Sequence, residues 1–250
     1  MLYNYHTHTK RCNHAKGEDK EYVEAAIKAG FKTLGFSDHA PYLFPEGAKH
    51  STHRMTTAEI SDYVGSVRAL AKEYEKDIRI LCGFELEYYP DFHKEEVAFL
   101  REHNPDYLIL GQHFLGNELA LQVARGKEDN ILSWYVTQVL AGLATGDFLY
   151  LAHPDVCGYT YSAERIDFEY RRLCEGAKRM GIPLEVNLLG SRENRWYPKR
   201  KFFEIAAEVG NEIVFGTDSH SPQTLLDTGM DEALKEMAGL DLKIIKDPLL

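Results

Sequence analysis

Leu2-Tyr3-Asn4-Tyr5-His6-Thr7-His8, then Lys20-Glu21-Tyr22-Val23-Glu24-Ala25-Ala26-Ile27-Lys28-Ala29-Gly30, then Thr33-Leu34-Gly35-Phe36-Ser37-Asp38-His39, read as strand, helix and strand. Leu2–Tyr5 and Thr33–Ser37 are apolar and aromatic runs of strand length, whereas Lys20–Ala29 has helical spacing and good helix formers. Gly30 follows it, where a left-handed cap is expected before the next strand. The unit repeats outward along the chain. Further strands are predicted at Ile78–Phe84, Tyr107–Leu110, Phe148–Ala152, Pro183–Val186 and Glu212–Gly216. Helices are predicted between and after them at Thr57–Glu75, Glu95–His103, Ile131–Ala144, Phe168–Met180, Lys199–Val209 and Leu225–Glu236, with Gly181 and Gly210 as two more caps. Alternation of this kind points to βαβ units and a parallel sheet.

The chain has 250 residues, more than the usual ~150 of one domain, yet α/β barrels of this length commonly form a single unit. No Pro/Gly/Ser linker, charge block or low-complexity tract divides it, so one domain over 1–250 is expected. Pro41–Thr56 is the longest irregular stretch and Leu188–Pro198 the next, and loops of this length in a compact barrel are usually functional.

Hydrophobic residues make up 44% and charged residues 27%, and mean hydropathy is −0.38. A disordered or fibrous chain is excluded. Against 39 acidic residues stand 29 basic ones, a formal charge of −10 with no basic patch in the sequence, so long nucleic acid is not an expected partner. Cys12, Cys82, Cys157 and Cys174 are widely spaced without a C-x-x-C pair, and no signal-peptide segment precedes the first strand. A cytoplasmic location is expected. No apolar run approaches the ~20 residues of a spanning helix, so no membrane partner is expected.

Eleven histidines are present, and their placement is informative. In an α/β barrel the chemistry sits at the carboxyl ends of the strands. There strand one delivers His6 and His8, strand two Asp38-His39, strand three Glu85, strand four Gln112-His113, strand five His153-Pro154-Asp155, strand six Glu185 and Asn187, and strand seven Asp218 and His220. Residues two apart in a strand share a face, so His6 with His8, and Asp218 with His220, can grip one ion together. His14 lies within reach of the same mouth. A lone histidine at a strand end is usually just hydrogen-bonded, but seven imidazoles with carboxylates at one face need protons or metal ions to compensate their desolvation. The set exceeds the three protein ligands of a single catalytic zinc and suits two or three divalent ions, zinc, iron, manganese or cobalt, with Glu85 as bridge. Cys12 is read first as a small buried residue. His50, His53, His93 and His103 are read as surface residues, His53 least firmly because its loop can cover the site.

These motifs, His6-Thr7-His8-Thr9 with Cys12-Asn13-His14, Ser37-Asp38-His39-Ala40-Pro41, Gly83-Phe84-Glu85, Gly111-Gln112-His113-Phe114, Ala152-His153-Pro154-Asp155 and Gly216-Thr217-Asp218-Ser219-His220, resemble the polymerase and histidinol phosphatase (PHP) family. Within it the resemblance is nearest to the monofunctional histidinol-phosphate phosphatases. It implies a distorted seven-stranded (β/α)7 TIM-like barrel with a trinuclear metal site. By carry-over the ligands are His6, His8, His14, His39, Glu85, His113, His153, Asp218 and His220, with Glu18 or Asp19 as alternatives to His14. Glu185-Val186-Asn187-Leu188-Leu189-Gly190-Ser191-Arg192 and Tyr197-Pro198 keep the outline of relatives with that activity, with Arg195 and Trp196 added. The implied reaction is hydrolysis of histidinol phosphate by a metal-bridging hydroxide, with Glu85, His39, Asp218 and Arg192 carrying the chemistry. Another small phosphate ester, a short nucleotide, or an amidohydrolase-type reaction are the alternatives.

A phosphate monoester dianion needs positive charge to bind. Arg192 is expected to hold it by its planar fork, with Arg195 and Arg165 as runners-up. Glu185, Asn187 and Asp155 are candidates for the amino-alcohol end, and Asp38 and Asp155 for fixing imidazole tautomers.

Overall fold

The computed structural model describes residues 1–45, 47, 50–118, 121–124, 130–158 and 161–249. In chain order the elements are β1 (Tyr3–Asn4), α1 (Asp19–Ala29), β2 (Thr33–His39), α2 (Ile60–Glu73), β3 (Arg79–Leu86), α3 (His93–Arg101) and β4 (Tyr107–Leu110). A hairpin of β5 (Phe114–Leu115) and β6 (Leu121–Gln122) follows, then α4 (Ile131–Leu143), α5 (Ala163–Met180) and β7 (Leu184–Asn187). The chain ends with α6 (Leu188–Arg192), α7 (Arg200–Val209), β8 (Glu212–Gly216), α8 (Gln223–Leu226), α9 (Met230–Glu236) and β9 (Lys243–Ile244).

Strands β1 to β4 pair in sequence order, all parallel, and β7, β8 and β9 form a second parallel run. Phe148–Ala152, expected as a strand, is reduced to a single bridging residue, Leu151, that faces Leu110 on one side and Leu184 on the other. Its backbone still carries ladder bonds to both neighbours: Leu149 donates to the Leu108 carbonyl at 2.8 Å, and Leu151 to that of Pro183 at 3.1 Å. A further bridge, Thr7 to Ser219, joins the end of the first strand to the segment after β8. The result is a mixed α/β fold with a curled parallel sheet.

Period-two alternation divides the sheet residues between two layers. Along β3, Ile80, Cys82, Phe84 and Leu86 enter the large core under the helices, together with Tyr22, Leu173 and Phe202. Leu81 enters a smaller cluster with Tyr5, Tyr107, Ile109, Tyr150 and Val214. Glu85 lies on the same side of β3 as Leu81, so this small cluster floors the site.

Helices α1, α5 and α7 end at Gly30, Gly181 and Gly210, each left-handed, as expected. Helix α5 starts earlier than the expected Phe168, because the Ser162 side chain accepts a hydrogen bond from the Arg165 amide. The expected helix Leu225–Glu236 is broken into α8 and α9 by the left-handed Gly229. Inside the Leu188–Pro198 loop, Asn187 caps the short α6. The Pro41–Thr56 stretch is irregular as expected, with 46, 48 and 49 outside the described residues. Among the described residues no helix is long and apolar enough to cross a membrane.

The long loop is tied to α3 by Glu96, whose Oε2 accepts from the Leu43 amide at 3.0 Å. Glu96 is buried, and its Oε1 has no partner. Burial pushes its carboxyl up to about 7, against the Leu43 amide and Arg54, which pull it down. A carboxyl raised on folding binds its proton more tightly in the native state, so stability falls as pH rises from the ordinary glutamate range through about 7. Glu96→Gln should therefore stabilise the protein at pH 8 by about 1–3 kcal/mol more than at pH 4. Urea unfolding at both pH values checks this, and an equal effect at the two would refute it.

Candidate metal centre

The curled sheet carries the candidate ligands to one mouth. His6 and His8 follow β1, His39 ends β2, Glu85 lies near the end of β3, and His113 follows β4. His153 comes two residues after the bridging Leu151, while Asp218 and His220 flank Ser219, the partner of Thr7. Lys10–Cys12 forms a single 3-10 turn that brings His14 back over His8, ring centres 6.2 Å apart. All seven mouth histidines of the sequence reading are brought together.

Glu85 stands at the centre. Its Oε2 is 3.0 Å from His39 Nδ1, 3.6 Å from His8 Nε2 and 3.7 Å from His6 Nε2, while Oε1 is 2.9 Å from His153 Nε2. Asp218 Oδ1 lies 3.1 Å from His8 Nε2, 3.6 Å from His6 Nε2 and 3.4 Å from His220 Nδ1. His14 Nε2 meets His220 Nε2 at 3.0 Å. His113 packs between His39 and His153, ring centres at 5.7 and 4.7 Å.

Four of these atoms, His6 Nε2, His8 Nε2, Glu85 Oε2 and Asp218 Oδ1, are buried without a hydrogen-bond partner. Buried polar atoms are ordinarily paired, so four orphans facing one another need a shared partner. Each is a metal-ligand type, and His6–His8–Glu85, His6–His153–Asp218 and His8–His39–His220 each place three donor atoms close enough to surround an ion. The donor set fits divalent metal ions.

The charges make the same demand. Burial raises the Glu85 carboxyl, but His39, His6 and His153 outweigh it and hold the group well below the usual range. Asp218 is likewise held down, by His6, His8 and His220. Desolvation pushes His39 down to about 4 and His220 well below its ordinary value. On His6 desolvation is outweighed by Glu185, Asp218 and Glu85, which raise it to about 10. The buried carboxylates call for cations, and protons or metal ions satisfy that call interchangeably.

Around the ligands stands a ring of acceptors that orients them. Glu185 Oε1 takes His6 Nδ1 at 2.8 Å, Asp38 Oδ1 faces His8 Nδ1 at 3.4 Å, and Glu87 Oε1 faces His113 Nδ1 at 3.2 Å. Each leaves the opposite Nε2 for the centre. Thr9 donates to the other oxygen of Asp38. Two glycines make room for the carboxylates: a Cβ at Gly216 would stand 1.7 Å from Glu185 Oε1, and one at Gly111 1.8 Å from Glu85 Oε1. Two candidate ligands have left-handed backbones, His153 at φ 29° and Asp218 at φ 46°, a strain concentrated where the candidate ligands are aimed.

A cavity of about 480 Å³ opens over this floor. Of the expected substrate contacts only Arg195 lines it, held by Glu193 Oε2 at 2.6 Å and by the Tyr197 hydroxyl at 3.1 Å. Arg192 does not line the cavity: its Nη1 donates to the carbonyls of Thr217 and Thr228, beside the segment that carries Asp218, and its Nη2 is buried without a partner. Arg165 is outside too, on Asn130 at the start of α4. Glu185 and Asn187 are wholly buried behind His6 and Asp218. Asp155 is buried and accepts the Lys199 amide rather than pairing with an imidazole. Glu18 and Asp19 are committed to Lys10 and Arg11, which leaves His14 at the mouth.

Among the other histidines, His53 is exposed but lines the cavity, its ring 5.1 Å from His14. His93, expected at the surface, is buried on Asp147 at 2.9 Å. His50 stacks on Phe44 and His103 packs on Phe99. Cys12 is buried as expected, and lies beside His8. Charged lining residues that were not singled out from the sequence include Glu87, Arg54, Glu118 and Glu193. Only Glu87 had a signal, two residues beyond Glu85 at same-face spacing.

Comparison with known proteins places this geometry. The PHP domain profile matches residues 4–188. A probable histidinol-phosphatase of Deinococcus radiodurans is 26% identical over 225 residues, covering 87% of this chain and 85% of the relative. The histidinol-phosphatase of Bacillus subtilis is 34% identical over 117 residues, 44% of this chain and 43% of that one. Among solved structures, the histidinol phosphate phosphatase of Lactococcus lactis, in complex with zinc, L-histidinol and phosphate, superposes with a TM-score of 0.73 at 16% identity, over 98% of this chain and 95% of that one. At that identity the likeness is one of fold.

Since Glu185 fixes the His6 tautomer from a fully buried position, Glu185→Gln should weaken metal retention roughly 10- to 100-fold. Competition against a chelator, followed by elemental analysis, measures this. Retention equal to the parent protein would show that His6 is aimed without Glu185.

Proposed function

Because this chain belongs to the PHP family, we propose that it is a metal-dependent phosphate monoester hydrolase whose substrate is histidinol phosphate. The observation that carries the reading is the set of four unpartnered ligand atoms, His6 Nε2, His8 Nε2, Glu85 Oε2 and Asp218 Oδ1, facing one another at the floor of the cavity. The histidinol-phosphatase relatives and the histidinol- and phosphate-bound fold neighbour support the substrate. In this reading residues 1–250 are one catalytic domain, and the curled sheet with its single-residue bridges is the distorted seven-stranded barrel of the family.

His6, His8, His14, His39, Glu85, His113, His153, Asp218 and His220 would hold two or three ions of zinc, iron, manganese or cobalt. When bound, such ions supply Lewis acidity, neutralising phosphoryl oxygens and acidifying water. The protein's own part is positional. Glu185, Asp38 and Glu87 hold the imidazoles in the ligating tautomer. Arg195 provides the cationic wall that a phosphate dianion needs, with Glu193 and Tyr197 fixing its planar head. Arg192 supports from behind, keeping the Thr217–Asp218 backbone in place.

Metal-reconstituted protein should carry two or three ions per chain and release phosphate from histidinol phosphate, and a chelator should abolish the activity. Arg195→Ala should raise the KM roughly 10- to 100-fold and weaken inhibition by inorganic phosphate, with metal content unchanged. An unchanged KM would mean that the metal ions alone hold the phosphate. Failure to turn over histidinol phosphate, with other monoesters hydrolysed, would overturn the substrate.

A further inference from the structure

One buried charge in the cavity is used neither by the metal ligands nor by the arginine wall. Glu118, just beyond β5, has a side chain with 0% exposure, and it lines the cavity. Its Oε1 accepts from Arg54 Nη2 at 2.7 Å, while Oε2 has no partner. Arg54 is itself buried, lies over the Tyr42 ring at 4.9 Å, and donates through Nη1 to the Ala40 carbonyl at 2.7 Å.

The same guanidinium also faces Glu87 Oε1 at 3.9 Å. Two buried carboxylates therefore share one arginine, leaving a net negative charge in a water-poor wall. The surplus does not reside on Glu87. Its oxygens are supplied by His113 Nδ1, the Tyr89 hydroxyl at 2.7 Å and the amides of His113 and Phe114 at 3.2 and 3.1 Å. Glu118 Oε2 is the unsatisfied acceptor of the group, and a buried carboxylate oxygen without a donor is costly unless a ligand supplies one.

We propose that Glu118, held in place by Arg54, accepts the cationic ammonium on the alcohol part of the substrate. The inference rests on the phosphatase reading and deepens it. An ammonium offers three donors and a full positive charge, which is what an orphaned buried carboxylate oxygen lacks. The cavity then has two poles, Arg195 for the phosphate and Glu118 for the amine, and an amino-alcohol phosphate spans them in one orientation. An ester without the amine leaves Oε2 unpaired, so the site discriminates by the cost of an unmet charge.

The test compares histidinol phosphate with its deamino analogue, 3-(imidazol-4-yl)propyl phosphate, on metal-loaded parent, Glu118→Gln and Glu118→Asp proteins. The parent should prefer the amine-bearing ester, and Glu118→Gln should cut that preference at least tenfold, chiefly through KM. Glu118→Asp keeps the charge and should restore part of it. Calorimetric binding of L-histidinol, which needs no turnover, should weaken by a similar factor in Glu118→Gln, whereas binding of the deamino alcohol should not follow. A preference unchanged in folded Glu118→Gln, or an equal loss on both esters, overturns the inference, as does a parent protein that does not favour the amine. If histidinol phosphate is not a substrate but phosphoethanolamine is hydrolysed with a preference that depends on Glu118, the substrate reading falls and the ammonium site stands.

Discussion

Glu85 has its two oxygens shared among four imidazoles, those of His6, His8, His39 and His153, and the rest of the architecture is arranged to make that contact possible. A carboxylate with 2% exposure is tolerable only where cations surround it, and the imidazoles come from three other places in the sheet. The sheet must therefore curl until the ends of β1, β2, β3 and the Leu151 segment point at one spot. The bridges at Leu151 and between Thr7 and Ser219 draw the remaining edges inward. Gly111 belongs to the same constraint, because any side chain there would occupy the space of the Glu85 carboxylate.

A second consequence of the crowded charge is that orientation has to be imposed from behind. Three different carboxylates, Glu185, Asp38 and Glu87, each engage one ligand imidazole through Nδ1. They come from β7, β2 and the end of β3, so each strand brings either a ligand or the group that aims one. This interleaving explains why Glu185 and Asp38 stand close to the site without lining its cavity. It also explains the reassignment of Glu185 and Asn187, whose strand-end positions resemble those of ligands although their side chains stop one layer short.

What was legible in the sequence follows from this geometry. The alternation of strands and helices, and the ligand types at the strand ends, are local patterns of period two and 3.6, and they survive into the structure with shifts of a few residues. Phe148–Ala152 has the composition of a strand, but the turn into His153, with its left-handed backbone, leaves room for only one bridging residue. Leu225–Glu236 has helical spacing that the left-handed Gly229 interrupts. Which arginine faces the cavity was not legible. Arg192 and Arg195 are three residues apart, and the choice depends on the short α6, whose turn sends Arg192 behind Asp218 and releases Arg195 to the front. Arg54 and Glu118 lie 64 residues apart in irregular segments, with no spacing to connect them.

That ion pair shows how the loops complete the site. The sheet supplies the candidate metal ligands, but the walls above them belong to the long loop after β2, to the β5–β6 hairpin and to the segment after α6. Arg54 Nη2 joins the first two of these across the cavity, and the contact survives desolvation because Glu118 and Glu87 both face the guanidinium. A buried guanidinium between two carboxylates would be a weak source of stability if packing were its only role, since apolar residues of similar volume usually serve as well. Its position beside an open cavity is better explained by what it fixes. It holds the Glu118 carboxylate in the cavity wall, and it links that wall through Glu87 to the orientation of His113. The loops thus inherit the logic of the centre, in which each buried charge is placed by a neighbour of opposite sign.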